Sequence, residues 1–301
     1  MDEYEGYDYN KLKEAGKISR QALEFARSQV KPGRKLLEIA ESIEGFIKDK
    51  GLEMSFPVNL SINESAAHYT PEYDDKTLVP EGAVLKVDLG ARKDTCLTDC
   101  AITVSLSDKY TKLVEATEKA LENAISMVKA GRKVNEIGRE INKVATSYGF
   151  NPIKNLGGHG IEQDELHASV FIPNYDNGDN SQLQEGQVVA IEPFLTTGMG
   201  YVENGESLQI YQLISDTLPR PQEGRAVMEY AATNFLTYPF AMRWIIKGTA
   251  MSEFKVRRGI TDLLNIQALE AFPVLVEKSK GIVAQAEKEL IVDKDSCTIV
   301  T

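Results

Sequence analysis

Only three imidazoles, His68, His159 and His167, stand among 45 acidic side chains. Clustered carboxylates with one imidazole are the donor set of a hydrolytic metal centre. A lone Asp or Glu is usually a solvated surface group and signals little. Four of the acids are set apart by their surroundings. Asp88 closes the apolar run that starts at Val84, and Glu192 closes the similar run from Val188. Asp99 opens the run ending at Val104, and Glu287 opens the run ending at Val292. Gathered together, these acids would carry about four negative charges, which two divalent ions about 3.5–4 Å apart neutralise in two-metal hydrolases. Oxygen donors with one imidazole favour Co, Mn, Fe or Zn over Mg and Ca. His159 sits in Gly157-Gly158-His159-Gly160, where small neighbours let backbone and ion approach closely, and it is the expected nitrogen ligand. His68 and His167 are expected to flank the ions as substrate-contacting groups.

The elements that must position these residues occur twice. Tyr9-Asn-Lys-Leu-Lys-Glu-Ala15 recurs as Tyr110-Thr-Lys-Leu-Val-Glu-Ala116, each opening a stretch with apolar residues at helical spacing. Each stretch closes on a glycine turn, Val30-Lys-Pro-Gly-Arg-Lys35 and Val128-Lys-Ala-Gly-Arg-Lys133, and a second helical stretch follows to Gly51 and Gly149. Asn59-Leu60 returns as Asn155-Leu156, and Ile62 with His68 returns as Ile161 with His167. Glu81-Gly-Ala-Val-Leu-Lys-Val-Asp88 mirrors Glu185-Gly-Gln-Val-Val-Ala-Ile-Glu192, and Asp99 to Val104 resembles Glu287 to Val292 after an extra stretch in the second copy. A spacing of about 100 residues is too long for a solenoid repeat. The pattern implies an α+β fold of two similar halves about a pseudo-twofold axis, sheets inside and helices outside. Such an axis would gather the two matched acid pairs. A hairpin turning at Lys93-Asp94 would also set Asp88 directly opposite Asp99, with Cβ atoms about 4.5–5.5 Å apart. Like charges so placed call for a cation.

The rest of the chain narrows the field. A net charge of −11 with no long Lys or Arg run argues against nucleic acid as the main partner, though not against a small basic face. The acidic start MDEYEGYDYN reads as neither secretory signal nor transit peptide, and no apolar run is long enough to span a bilayer. Cys96, Cys100 and Cys297 lack C-x-x-C spacing and read as reduced thiols, so a cytoplasmic protein is expected. The glycines around His159 have no following Lys-Ser/Thr and are not a phosphate loop. Ser65 lies near His68, but no third group orients it as a nucleophile. Asp94 fits a hairpin turn, and Phe235 to Trp244 reads as helical core with Trp244 as packing.

Taken together, Phe56-Pro-Val-Asn-Leu-Ser-Ile-Asn63, Ala67-His-Tyr-Thr-Pro71, Lys86-Val-Asp-Leu-Gly90, Thr98-Asp-Cys-Ala101, Asn155-Leu-Gly-Gly-His159, Leu166-His-Ala168, Ile191-Glu-Pro-Phe194 and Val283-Ala-Gln-Ala-Glu287 resemble the methionine aminopeptidase family. The type II branch in its archaeal-like form fits best. The resemblance covers nearly the whole chain and implies the pita-bread fold. The family's metal ligands fall on Asp88, Asp99, His159, Glu192 and Glu287. The implied catalytic domain is residues 1–199 and 270–301, with a helical, winged-helix-like insertion at 200–269. The implied reaction is hydrolysis of the first peptide bond of nascent polypeptides, with a hydroxide between two ions as nucleophile. In that scheme Asp99 and Glu287 bridge the ions, and Asp88 chelates one of them. Glu192 moves the proton, His167 donates to the carbonyl oxygen and His68 contacts the next amide. Phe56 and Leu166 would line the methionine pocket. A monomer is expected, with the ribosome as a candidate partner. Family members often carry Phe before the last ligand and His after it; this chain has Ala286 and Lys288. An Xaa-Pro aminopeptidase or prolidase shares the fold but usually has an N-terminal domain and lacks the insertion. A non-catalytic binding protein on this fold typically loses ligands, and none is missing here.

Overall fold

The computed structural model describes residues 7–301; the acidic residues 1–6 lie outside the described residues, as does the side chain of Ser169. The first half has helices α1 (Tyr9–Gln29) and α2 (Leu36–Asp49), then strands β1 (Glu53–Met54), β2 (Asn59–Ile62), β3 (Ser65–Ala67), β4 (Val84–Leu89), β5 (Ala91–Lys93), β6 (Cys96–Leu97) and β7 (Cys100–Ser105). The second half restarts with α3 (Thr111–Ile125) and α4 (Val134–Tyr148), then β8 (Asn151–Pro152), β9 (Gly157–Glu162), β10 (Glu165–Pro173), β11 (Val188–Ile191) and β12 (Phe194–Thr196). An interruption follows: β13 (Val202–Leu213), α5 (Gln222–Asn234), β14 (Phe240–Ala241), α6 (Met242–Gly248), α7 (Glu253–Asn265) and β15 (Leu269–Glu277). Strands β16 (Val283–Gln285), β17 (Lys288–Val292) and β18 (Cys297–Ile299) complete the second half.

The duplication read from the sequence is present in three dimensions. Gly33 and Gly131 take left-handed φ of 78° and 76°, and their amides donate to equivalent carbonyls, Val79 and Leu183, at 2.8 Å each. Sheet order β2-β4-β7 in one half matches β9-β11-β17 in the other, and β1-β5-β6 matches β8-β12-β16. The halves join where β7 meets the start of β17. Backbone of Ala101 and Glu287 exchanges hydrogen bonds of 3.4 and 3.0 Å, and the Asp99 amide donates to the Glu289 carboxylate at 2.8 Å. A twofold that swaps Asp99 with Glu287 must also swap Ala101 with Glu289, so these two pairs map onto each other. The axis therefore runs beside the candidate ligands. Outside the sheets, each helix pair buries its own apolar face: Ala15, Ala22, Ile39 and Ile43 in one half, Leu113, Ala120, Ile137 and Ile141 in the other. Burial of such faces is the main favourable term in folding.

The hairpin register differs from the sequence expectation by two residues. Asp88 lies opposite Ala101, and Leu89 opposite Cys100; the same register runs on through Arg92 and Leu97. The turn is centred on Asp94-Thr95, because Asp94 takes the left-handed position at φ 54°. A one-residue slip would have sent one carboxylate to the other face, but a two-residue slip preserves alternation. Asp99 is thus a diagonal neighbour of Asp88, on the same face.

The interruption grows from a ribbon. β13 and β15 pair from Val202–Glu277 to Leu213–Leu269, and β15 also pairs with β3 of the first half. Helices α5 to α7 enclose a separate apolar core that includes Val227, Phe240, Ile245 and Val256. The segment Phe235 to Trp244 is not one helix. Leu236 turns left-handed at φ 55°, Pro239 has no amide to continue a helical ladder, and only α6 follows. Nor is Trp244 mere packing: its Nε1–H donates to Glu44 of α2 at 3.0 Å. Its neighbour Arg243, 1% exposed, forms a salt bridge with the same carboxylate. This buried group fastens the interruption to the first half.

Candidate metal centre and substrate cavity

Three of the four candidate acids sit where a strand breaks, and the fourth sits near a strand end. Asp99 lies between β6 and β7, Glu287 between β16 and β17, Glu192 between β11 and β12, and Asp88 one residue before β4 ends. Side chains at such breaks are freed from the regular ladder and can turn toward a common point. His159 comes from the middle of β9. Gly158 beside it lets β9 press against β11, since a Cβ there would lie 2.2 Å from the Ala190 carbonyl oxygen.

The structure brings all five residues together. Ligand atoms of Asp99, His159 and Glu287 lie within 4.8 Å of one another. His159 Nε2 is 3.5 Å from Asp99 Oδ2 and 3.8 Å from Glu192 Oε1. The Gln285 amide donates to Glu287 at 3.0 Å, Asp88 at 3.3 Å and Glu192 at 3.4 Å, so one neutral group touches three of the four acids.

Burial governs the electrostatics. It pushes Asp99 up to about 8. Burial, reinforced by the Asp99 charge, holds Asp88, Glu192 and Glu287 well above the usual carboxylate range. Burial also lowers His159 to about 4, so its imidazole is neutral. Its Nδ1 lies 3.1 Å from the Gly160 carbonyl; a carbonyl only accepts, so Nδ1 carries the proton and Nε2 presents a lone pair to the acids. One oxygen on each of Asp88, Asp99 and Glu287 is buried without any donor. Unpaired buried carboxylate oxygens are costly. Hard oxygen donors plus a neutral imidazole lone pair suit a divalent cation, and these residues fit one.

The acids form the floor of a cavity of about 370 Å³, whose lining includes Phe56, Leu166, Phe194, Ile210 and Phe272. His68 and His167 also line it. His167 packs edge-on against His159, ring centroids 4.5 Å apart; the residue as a whole is exposed, and local desolvation of its ring with the neighbouring His159 lowers it to about 3. His68 holds an unusual left-handed φ of 64°. Its Nδ1 lies 3.2 Å from the Pro273 carbonyl of β15, which leaves Nε2 as an acceptor. Two residues of this centre went unselected in the sequence. Gln285 and Glu289 lie two positions either side of Glu287, and strand alternation, which puts i and i±2 on one face, was the available signal. Glu289 is fully buried and grips the Asp99 amide.

Residues 10–217 match metallopeptidase family M24, and the chain belongs to that family. Over 295 residues it is 45% identical to the methionine aminopeptidase of Pyrococcus horikoshii, covering 98% of this chain and 99% of the relative. Among solved structures it is similar to a thermophilic Arx1, with a TM-score of 0.83, 19% identity and coverage of 97% and 89%. It is also similar to a methionine aminopeptidase from Thermotoga maritima, with a TM-score of 0.70, 22% identity and coverage of 97% and 95%. These two likenesses show the shared pita-bread fold.

Proposed function

We propose that Asp88, Asp99, His159, Glu192 and Glu287 hold two divalent ions, Co, Mn, Fe or Zn, with which the chain removes the N-terminal methionine of nascent proteins. The observation that carries the site is the set of donorless buried carboxylate oxygens beneath an apolar cavity. Identity to methionine aminopeptidases over nearly the whole chain carries the reaction. When bound, the ions supply an activated water at neutral pH and polarise the scissile carbonyl.

The chain's own residues do the rest. Phe56 and Leu166, with Phe194, accept an unbranched thioether side chain and exclude charged ones, so the first residue is selected by fit. His167, a neutral N–H donor, stabilises charge growing on the carbonyl oxygen. The free Nε2 of His68 accepts the amide N–H of the second substrate residue. Glu192 takes the proton from the attacking water and returns it to the leaving amine. Residues 200–269 are an insertion on a catalytic domain of 1–199 and 270–301. The chain acts as a cytoplasmic monomer on polypeptides emerging from the ribosome. No helix among the described residues is long and apolar enough to cross a membrane.

The test is a substrate panel offered to protein reloaded with Co or Mn after chelation. Methionine release from Met-Gly-Met-Met, abolished by chelator and restored by metal, is expected. Cleavage of Xaa-Pro peptides alone would give the site to a prolidase-like reaction, and no cleavage without metal uptake would leave a binding protein.

A further inference from the structure

We infer that Tyr238, a residue of the insertion, is a positioning residue that holds His167 and Leu166 at the reacting end of the cavity. The inference rests on the role proposed for His167. The β9–β10 ladder alone does not hold that residue. Glu165 lies opposite Glu162, but Ala168 lies opposite Gly160 and Phe171 opposite His159, so the register shifts on both sides of Ala168. Such bulges re-aim side chains and interrupt pairing. Leu166 and His167 lie in the first of these interruptions, just after the hairpin turn that contains Asp164.

That turn is pinned from two sides. The Asp164 amide donates to the Thr95 carbonyl at 3.1 Å, so the β9–β10 turn of one half rests on the β5–β6 turn of the other. Tyr238 lies over both turns. Its hydroxyl donates to the Asp164 carboxylate and reaches the Asp94 carbonyl at 3.5 Å. The Arg92 guanidinium stacks 4.0 Å from its ring centroid. The ring is 4% exposed and belongs to the apolar cluster that contains Phe56 and Leu166, the two residues assigned to the methionine pocket. The next residue, Pro239, lines the cavity itself. Burial pushes the Tyr238 hydroxyl up to about 12, so it stays a proton donor at working pH. One side chain thus links the insertion, both hairpin turns and the cavity wall. Loss of its hydroxyl would remove one of the two pins on the turn while leaving the packing of the ring in place.

The test uses the full, metal-loaded chain with Met-Gly-Met-Met. Tyr238→Phe should lower kcat about tenfold, since small misplacements of reacting groups are costly, with KM changed less than about twofold. Asp164→Asn keeps a residue that tolerates the left-handed turn at φ 62° and should lower kcat alike. The double variant should be no worse than either single one. In a His167→Ala background, Tyr238→Phe should have no further effect, a non-additivity that a merely structural role would not give. Unchanged kcat in Tyr238→Phe beside a crippled His167→Ala would overturn the inference alone. So would an equal further loss in the His167→Ala background. Full turnover in His167→Ala would overturn the role of His167 and this inference with it, while methionine release still stood.

Discussion

Removing the Glu44 carboxylate should unfasten the β13–β15 segment from the first half. Arg243 is 1% exposed and Glu44 6% exposed. Glu44 accepts from the Arg243 guanidinium and from Trp244 Nε1. Among the described residues, Arg243 is otherwise hydrogen-bonded to Thr70 Oγ1 at 2.7 Å and the Pro71 carbonyl at 3.1 Å, and its Nε has no hydrogen-bond partner. Glu44→Ala would therefore leave a buried cation without its counter-charge, which costs about 3–5 kcal/mol. At about 2.1 cal/mol/K of unfolding entropy per residue, each kcal/mol moves Tm of this 301-residue chain by about 1.6 °C, so a fall of about 5–8 °C is expected by scanning calorimetry. Glu44→Leu with Arg243→Met, which replaces the pair by apolar groups of similar length, should recover most of that loss. Thr70 lies two residues from His68, so the single variant should also lose turnover before it melts. A fall below about 2 °C, or a double variant no better than the single one, would refute the reasoning that a buried charge pair fastens that segment.

Glu192→Gln should preserve fold and lower turnover at least about 100-fold, as loss of a general base does; near-normal kcat would remove the proton-shuttle role. Gly158→Ala would drive a Cβ to 2.2 Å from the Ala190 carbonyl oxygen, separating β9 from β11 and displacing His159. Metal content after dialysis should fall with it, and full metal retention would contradict that placement. The folded pKa of Asp99, about 8, lies above its ordinary 3.8. Metal-free protein therefore binds an extra proton when folded and loses stability as pH climbs through that window, while a bound cation expels the proton and cancels the loss. The gain in Tm on adding Mn should grow from pH 5.5 to about 8; a gain that shrinks would contradict it.

The clustering of the four acids was legible because duplication made Asp88 and Glu192, and Asp99 and Glu287, vouch for one another. Periodicity alone singles out none of them. The hairpin register was not legible to better than two residues, since it depends on whether Asp94 takes the first or second turn position. Gln285 escaped notice because a neutral amide carries no charge signature, although it touches three acids. The segment from β13 to β15 has no echo elsewhere in the chain. Its breaks at Leu236 and Pro239, and the contacts of Tyr238 and Arg243 with distant turns and helices, are set by tertiary packing that no local pattern encodes.

Methionine release is proposed to depend on two divalent ions at these five residues. Metal-free protein titrated with Mn or Co, with bound ions counted by elemental analysis and methionine release followed in each sample, tests it directly. Activity is expected to rise with bound metal, to saturate at about two ions per chain, and to be lost together with metal binding in Asp99→Ala and Glu287→Ala. Full methionine release from protein shown to hold no metal would contradict it.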